Sequence, residues 1–221
     1  MTRSYLRCVE QWDEIYSAEA SDSAPKTPDS GNAALDAGLR WLAENSPNVL
    51  DFGCGNGSIL FFCALLGTKN HIGIDLSSAA IDSAIKRSGK MQTGAFSFRQ
   101  GGVERLSELE TGSQDAVILS NILDNLYPED AETLLRECAR LLKPGGKALI
   151  KLNPYLTKQQ IKDWEIKVIE GSLLDDGLLL WNNTTEQWRA MLEHLFAIER
   201  FEEIYYPEHE QTNRMFFIRN L

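Results

Sequence analysis

The segment Asn48-Val49-Leu50-Asp51-Phe52-Gly53-Cys54-Gly55-Asn56-Gly57 constrains this chain more than any other. Its first half is a short run rich in aliphatic residues and reads as a buried strand. Three glycines at alternate positions then allow a turn too tight for residues with a Cβ. The apolar stretch Ser58 to Leu66 follows at helix length. Strand, glycine turn and helix in that order form the opening of a βαβ unit, and a chain that begins its core this way belongs to the α/β class.

The alternation continues downstream. Strands are expected at His71–Asp75, Ala95–Gln100, Asp115–Ser120 and Lys147–Leu152. Between them, Ser77 is placed to cap a helix carrying Ile81 and Ile85 that stops near Gly89. Pro128, Glu129 and Asp130 open another helix, whose positions Leu134, Leu135, Cys138, Leu141 and Leu142 keep helical spacing until Pro144-Gly145-Gly146 turns the chain. After a helix from about Thr185 to Phe196, the extended runs Ala197–Tyr206 and Arg214–Leu221 are separated by too few residues for a parallel crossover. They are therefore expected to form an antiparallel hairpin. The 221 residues, 43% of them hydrophobic, suit a single domain. Its expected parts are an N-terminal helical cap (1–46), a ligand-binding core (47–152), an insertion lying over the sheet as a substrate lid (153–184), and a closing helix and hairpin (185–221).

Charge and cysteine usage narrow the function. Twenty-two Lys and Arg against 32 Asp and Glu give a net charge of −10, which repels phosphate backbones and argues against a nucleic-acid partner. No apolar run approaches the roughly 20 residues of a membrane span, and the N-terminus lacks the apolar core of a signal peptide, so a cytoplasmic protein is expected. Cys8, Cys54, Cys63 and Cys138 are scattered without metal-ligand spacing, so neither a metal site nor a disulfide framework is expected.

Asp75 ends the second core strand 18 residues after Gly57, where a carboxylate can accept hydrogen bonds from both ribose hydroxyls of a nucleoside. Nicotinamide enzymes share this geometry. Their fingerprint G-x-G-x-x-G would, however, need glycine where this chain has Ser58, and Asp51 would face a pyrophosphate unfavourably. The segments VLDFGCGNG, GIDLS, QGGVERL, DAVILSNILDNL and LLRECARLLKPGGKALI, in this order, resemble the motifs of class I S-adenosylmethionine-dependent methyltransferases over about residues 47–152. The resemblance implies a doubly wound, mostly parallel seven-stranded sheet ending in an antiparallel hairpin. It implies S-adenosylmethionine as cofactor and S-adenosylhomocysteine as product. By position, Gly53 and Gly55, with Cys54 between them, would approach the methionine portion, and Asp51 would hold its amino group directly or through water. Asp75 would bind the ribose, Leu76 and Val103 would cover the two adenine faces, and Ser120 and Asn121 would line the floor. Tyr16, one helical turn from Trp12 on the leading helix, would close over the cofactor in the resembling family, while an aromatic pair packing on the core accounts for the same spacing equally well. Gly102 also falls in the adenine wall, where many members of that family carry an Asp that bonds the adenine amino group.

The attacked acceptor is expected above the C-terminal edge of the sheet. Asp124, Asn125, Asn153, Tyr155, Tyr205, Tyr206 and His209 follow strands that end there; of these, His209 and Tyr155 are the candidate catalytic residues. His209 also reads as a solvated loop histidine between Glu208 and Glu210. The apolar insertion, with Trp164, Leu178 to Leu180 and Trp181, is expected to roof the pocket and favours a small, partly hydrophobic acceptor; a dimer interface accounts for the same residues, so both monomer and homodimer stay open. A protein methyltransferase and a non-catalytic nucleotide-binding module are the alternatives at this point.

Overall fold

The computed structural model describes residues 5–18 and 23–221. The chain opens with α1 (Leu6–Ala18) and α2 (Ala33–Ala43), the latter capped by the Asn32 side chain, which accepts from the amides of Ala34 and Leu35. The alternating core follows: β1 (Asn48–Phe52), α3 (Ser58–Leu65), β2 (Asn70–Asp75), α4 (Ser78–Ser88), β3 (Ala95–Gln100), β4 (Gln114–Ser120), α5 (Pro128–Leu141) and β5 (Leu142–Leu152). Ser77 caps α4 through the amide of Ala80, as its position predicts. In that helix Ile81 is buried, whereas Ile85 faces solvent.

The remaining elements are α6 (Lys158–Asp163), β6 (Lys167–Glu170), β7 (Leu173–Asp176), β8 (Leu178–Trp181), α7 (Thr185–Glu193), β9 (Phe196–Tyr206) and β10 (Gln211–Asn220). Seven strands form one sheet in the order β3-β2-β1-β4-β5-β10-β9. The pairs among β1 to β5 are parallel, and β10 runs antiparallel to both β5 and β9. This is the doubly wound sheet with a terminal antiparallel hairpin that the sequence predicts.

Side-chain alternation along the central strands supplies two cores. Leu50, Phe52, Val117, Leu119 and Ile150 pack on one face with Leu134 and Leu141 of α5 and Trp188 of α7. Val49, Ile118, Leu149 and Phe217 pack on the other with Leu39 and Leu42 of α2 and Leu60 of α3. The result is three layers, helix on sheet on helix. The chain winds from β1 outward through β2 and β3, then restarts on the other side of β1 at β4. That reversal opens a crevice at the C-terminal ends of β1 and β4, the usual ligand position in such sheets.

Two expectations need correction. Residues 153–184, read from the sequence as an insertion without a place in the main alternation, contain regular structure of their own: after α6 they form a separate antiparallel sheet, β6-β7-β8, with a small core of Leu156, Ile166, Leu174 and Leu180. The closing strand begins at Gln211, before the expected Arg214, because polar residues continue the ladder inside the protein. Asn213 donates to the Asn121 side chain at 3.0 Å, and Arg214 donates to the carbonyls of Asn153 and Asn183 at 3.0 and 2.8 Å. Such buried polar strand residues are invisible to a hydrophobic pattern. Among the described residues, no helix is long and apolar enough to cross a membrane, and no cluster of His, Cys, Asp and Glu could hold a metal ion.

Candidate functional site

A cavity of about 510 Å³ occupies the crevice, within the size range of small-molecule sites. Its floor begins with the glycine turn. The amides of Gly53 and Cys54 both donate to the Ile74 carbonyl, at 2.8 and 3.1 Å, and so tie the turn to β2. Gly53 has φ +75°, and a Cβ there would stand 2.7 Å from the Ile122 side chain; both backbone and space demand glycine. Gly55, at φ +52°, leaves room for the Tyr16 hydroxyl, which lies 2.2 Å from where its Cβ would be.

Asp75 at the end of β2 holds this arrangement from the cavity wall. Its Oδ2 accepts the Gly55 amide at 2.8 Å and its Oδ1 accepts the Ser77 amide at 2.9 Å. Burial raises its pKa, against the lowering effect of those amides. Asp51 lies deeper. Both of its carboxylate oxygens are buried without a hydrogen-bond partner, and burial, followed by the nearby Asp75 charge, pushes its pKa up to about 8.

Helix α1 walls the opposite side with Cys8, Val9, Trp12 and Tyr16, together with Tyr5 just before it. Trp12 and Tyr16 stack at 5.9 Å between ring centroids, on the same face as their spacing predicts. The helix is fastened at three places. Asp13 accepts the Ser77 hydroxyl at 2.6 Å and the Ala79 amide at 3.1 Å, placing a carboxylate at the N-terminus of α4. Arg7 donates to Asp175 at 2.7 Å and to the Gly177 carbonyl at 2.8 Å. The Tyr5 hydroxyl donates to Asp130 Oδ2 and accepts the Tyr127 amide, each at 2.8 Å. Burial raises the Tyr5 pKa, so the phenol keeps its proton.

Leu76, Gly102, Val103, Glu104, Ser120 and Asn121 complete the wall between the sheet and the short 3-10 segment Val103–Glu108 after β3. Asn121 takes a left-handed backbone, φ 54°, and its amide donates to the Lys151 carbonyl at 2.7 Å. The structure thus brings Gly53, Asp75, Leu76, Gly102, Val103, Ser120, Asn121 and Tyr16 to one cavity. Asp51 and Gly55 lie behind its surface. Cys54 turns its side chain away from the cavity, donating to the Gly55 carbonyl beneath the turn at 3.5 Å, and burial raises its pKa.

The catalytic candidates are not brought there. His209 is exposed in the turn between β9 and β10. Three strand spacings separate β9 from β4, about 14 Å at the usual interstrand distance. Tyr155 is 39% exposed and does not line the cavity. Asp124 is fully buried, accepts the Asn153 amide at 2.8 Å, and has its pKa pushed up to about 6 by burial. It stabilises the chain after β5 without reaching the cavity wall. The insertion does not roof the cavity either: α1 does. The small sheet instead supports the wall from outside, its Leu179 carbonyl accepting from Asn125 Nδ2 at 2.6 Å.

Tyr5, Cys8, Val9, Ile122 and Asp130 were not anticipated at the site. The spacing of Tyr5, Cys8, Val9, Trp12 and Tyr16 is that of one helical face, a signal present in the sequence.

The chain matches a family described as "Methyltransferase domain" over residues 50–150. A ubiquinone biosynthesis O-methyltransferase of Albidiferax ferrireducens is 35% identical over 112 residues, 49% of this chain and 43% of that protein. An arsenite methyltransferase of Aquipseudomonas alcaligenes is 35% identical over 147 residues, 61% of this chain and 40% of that protein. The chain therefore spans about two fifths of the length of these curated relatives. Among solved structures, the 1,6-didemethyltoxoflavin-N1-methyltransferase of Burkholderia thailandensis, with bound 1,6-didemethyltoxoflavin and S-adenosylhomocysteine, superposes with a TM-score of 0.68 at 16% identity, covering 97% of this chain and 87% of that one. This last likeness is one of fold.

Proposed function

We propose, from the premise that residues 50–150 form a class I S-adenosylmethionine-dependent methyltransferase domain, that the protein transfers the methyl group of S-adenosylmethionine to a small molecule. One observation carries this reading: the cavity places the glycine turn and Asp75 opposite a roof of Trp12 and Tyr16, enclosing a space of nucleoside dimensions at the sheet's reversal point.

The residues present fit the cofactor. Asp75 is positioned for the ribose hydroxyls, Leu76 and Val103 for the two faces of the base, and Gly53, Tyr16, Ser120 and Asn121 for the remainder. Asp51 is a buried carboxylate with no partner, a group that gains from a nearby ammonium. When bound, S-adenosylmethionine supplies a methyl group already activated on a sulfonium. The protein's contribution is then chiefly to hold an acceptor in line and to exclude water, effects that reach roughly 7 to 11 kcal/mol in well-oriented systems. Asp130, fixed by Tyr5, faces the cavity and is positioned to accept a hydrogen bond from the hydroxyl or amine of an acceptor. A cavity roofed by a helix favours a small molecule over a protein segment, which needs an open groove.

The test is a calorimetric titration with S-adenosylmethionine and S-adenosylhomocysteine, with NAD as comparison, followed by measurement of S-adenosylhomocysteine released with panels of phenols and amines. Binding of both sulfur nucleosides and turnover with a small acceptor are expected. Failure to bind either one would overturn the reading.

A further inference from the structure

Of the three carboxylates that line the cavity, Asp75 ends β2 and Glu104 follows β3, both beside the residues that fit a nucleoside. Asp130 comes instead from α5, after β4. In the strand order β2-β1-β4, two interstrand spacings, about 10 Å, separate β4 from β2. Asp130 therefore brings a carboxylate to the far side of the glycine turn from Asp75. Among the described residues, no lysine, arginine or histidine lines the cavity to offset it.

The carboxylate is held from one side only. Its Oδ2 accepts the Tyr5 hydroxyl at 2.8 Å, and that hydroxyl in turn accepts the Tyr127 amide at 2.8 Å. The Tyr5 ring packs edge-on against Tyr127, 5.3 Å between centroids, which fixes the phenol in place. Oδ1 has no hydrogen-bond partner among the described residues. Asp130 also sits in the first turn of α5, where the helix dipole favours a negative charge. The cavity residues between β4 and α5 do not compete with it for a ligand's polar end. Ile122 and Leu126 are apolar, and Asn125 already donates to the Leu179 carbonyl at 2.6 Å and accepts from Asn153 at 3.0 Å.

We propose that Asp130 fixes the class of acceptor: its Oδ1 receives an N–H of a small amine carried on an apolar or aromatic body, and an acceptor whose reacting end is anionic is rejected. The proposal rests on the methyl-transfer reading of the cavity. An amine nitrogen attacks with its lone pair; the N–C bond forms as the C–S bond breaks with its electron pair left on sulfur, so the positive charge ends on nitrogen. A carboxylate held beside that nitrogen stabilises the charge as it develops. A hydroxyl must instead surrender its proton during the transfer, and no histidine, the side chain suited to take one near neutral pH, lines the cavity among the described residues. A carboxylate or phosphate acceptor would meet like charge on Asp130 with no cation beside it.

The test is calorimetry on the full chain loaded with S-adenosylhomocysteine, whose own binding is measured first. Three probes carry a phenyl ring and differ at the polar end: 2-phenylethylamine, 2-phenylethanol and phenylacetate. The amine is expected to bind about tenfold more tightly than the alcohol, as for a hydrogen bond to a charged group over a neutral one, and phenylacetate to bind more weakly than either. Asp130→Asn keeps the shape of the side chain and an oxygen for the Tyr5 hydroxyl while removing the charge. Its preference for the amine should collapse and its affinity for S-adenosylhomocysteine should stay at the wild-type value, which a merely structural role for Asp130 would not produce. Tyr5→Phe removes the anchor and keeps the charge, so it should still prefer the amine to phenylacetate. An amine that fails to bind the loaded protein, or binds no better than the alcohol, or keeps its preference in Asp130→Asn, would overturn the assignment while leaving the cofactor reading intact. A wild type that does not bind S-adenosylhomocysteine would overturn that reading and this assignment with it.

Discussion

Two aspartates beneath the glycine turn divide the work that one motif usually suggests. Asp75 is already bonded to the amides of Gly55 and Ser77 and still faces the cavity. Replacing it with Ala removes the ribose acceptor and frees the turn, so affinity for S-adenosylmethionine should fall by about 1.5 to 3 kcal/mol, as for hydrogen bonds to a charged group. Unchanged affinity by calorimetry would show that the nucleoside does not lie against β2. Gly53 tests the turn itself. Its φ of +75° and the 2.7 Å approach to Ile122 mean that Gly53→Ala combines backbone strain with overpacking, and a loss of about 1 to 3 kcal/mol in unfolding free energy is expected from denaturant titration. Cys54, between the two glycines, lies outside this chemistry because its buried thiol is held well above its usual pKa and points under the turn.

At the scale of elements, the roof is the decisive piece. None of the residues of α1 is fully buried, so the helix draws little from a core and depends on its fastenings to Ser77, Asp175 and Asp130. Asp13 acts on two elements at once, anchoring α1 and bonding the first turn of α4. Asp13→Ala should therefore cost about 0.5 to 2 kcal/mol of stability, as for a lost cap, and should also accelerate amide exchange in α1. Bound S-adenosylhomocysteine should slow that exchange in the wild type; exchange indifferent to the ligand would argue against α1 as the roof. The same element marks the limit of what the sequence discloses. The core strands and the hairpin follow from periodicity, glycine placement and connection length, because each is a local signal, whereas the doubly wound strand order was implied only by the family resemblance. Which element covers the crevice is a question of tertiary docking: the spacing of Trp12 and Tyr16 left closure over the cofactor and packing on the core equally open, and the apolar insertion was expected to roof the acceptor side, whereas Tyr5, Cys8, Val9, Trp12 and Tyr16 share one face that lines the cavity. His209 is the solvated loop histidine that its neighbours Glu208 and Glu210 suggest, and the strand order shows why it is no catalytic candidate. Its strand does end at the correct sheet edge, but the order β4-β5-β10-β9 puts it at the far end of that edge.

For the molecule as a whole, these sites set how stability responds to pH. Asp51 has a folded pKa near 8, against about 3.9 in an unfolded chain, so between those values the folded state holds a proton that the unfolded state releases. Its contribution is fully present below about pH 4 and is lost as pH rises toward 8, with a slope near 1.4 kcal/mol per pH unit where one proton is exchanged. Asp124, raised to about 6 by burial, adds the same sign over a narrower range. Lys151 acts oppositely and later: burial lowers its pKa to about 8, so between pH 8 and its ordinary value near 10.4 stability recovers with rising pH. The melting temperature should accordingly decline from pH 5 to pH 8, and Asp51→Asn, which removes the buried charge, should flatten most of that decline. Ligand binding provides the complementary readout. An ammonium placed near Asp51 favours its ionised form, so wild-type affinity for S-adenosylhomocysteine should rise with pH toward 8 while Asp51→Asn binds more weakly and without that rise. If stability and affinity both proved flat across this interval in the wild type, Asp51 would be ionised throughout and already paired, and its assignment to the amino group of the cofactor would fail.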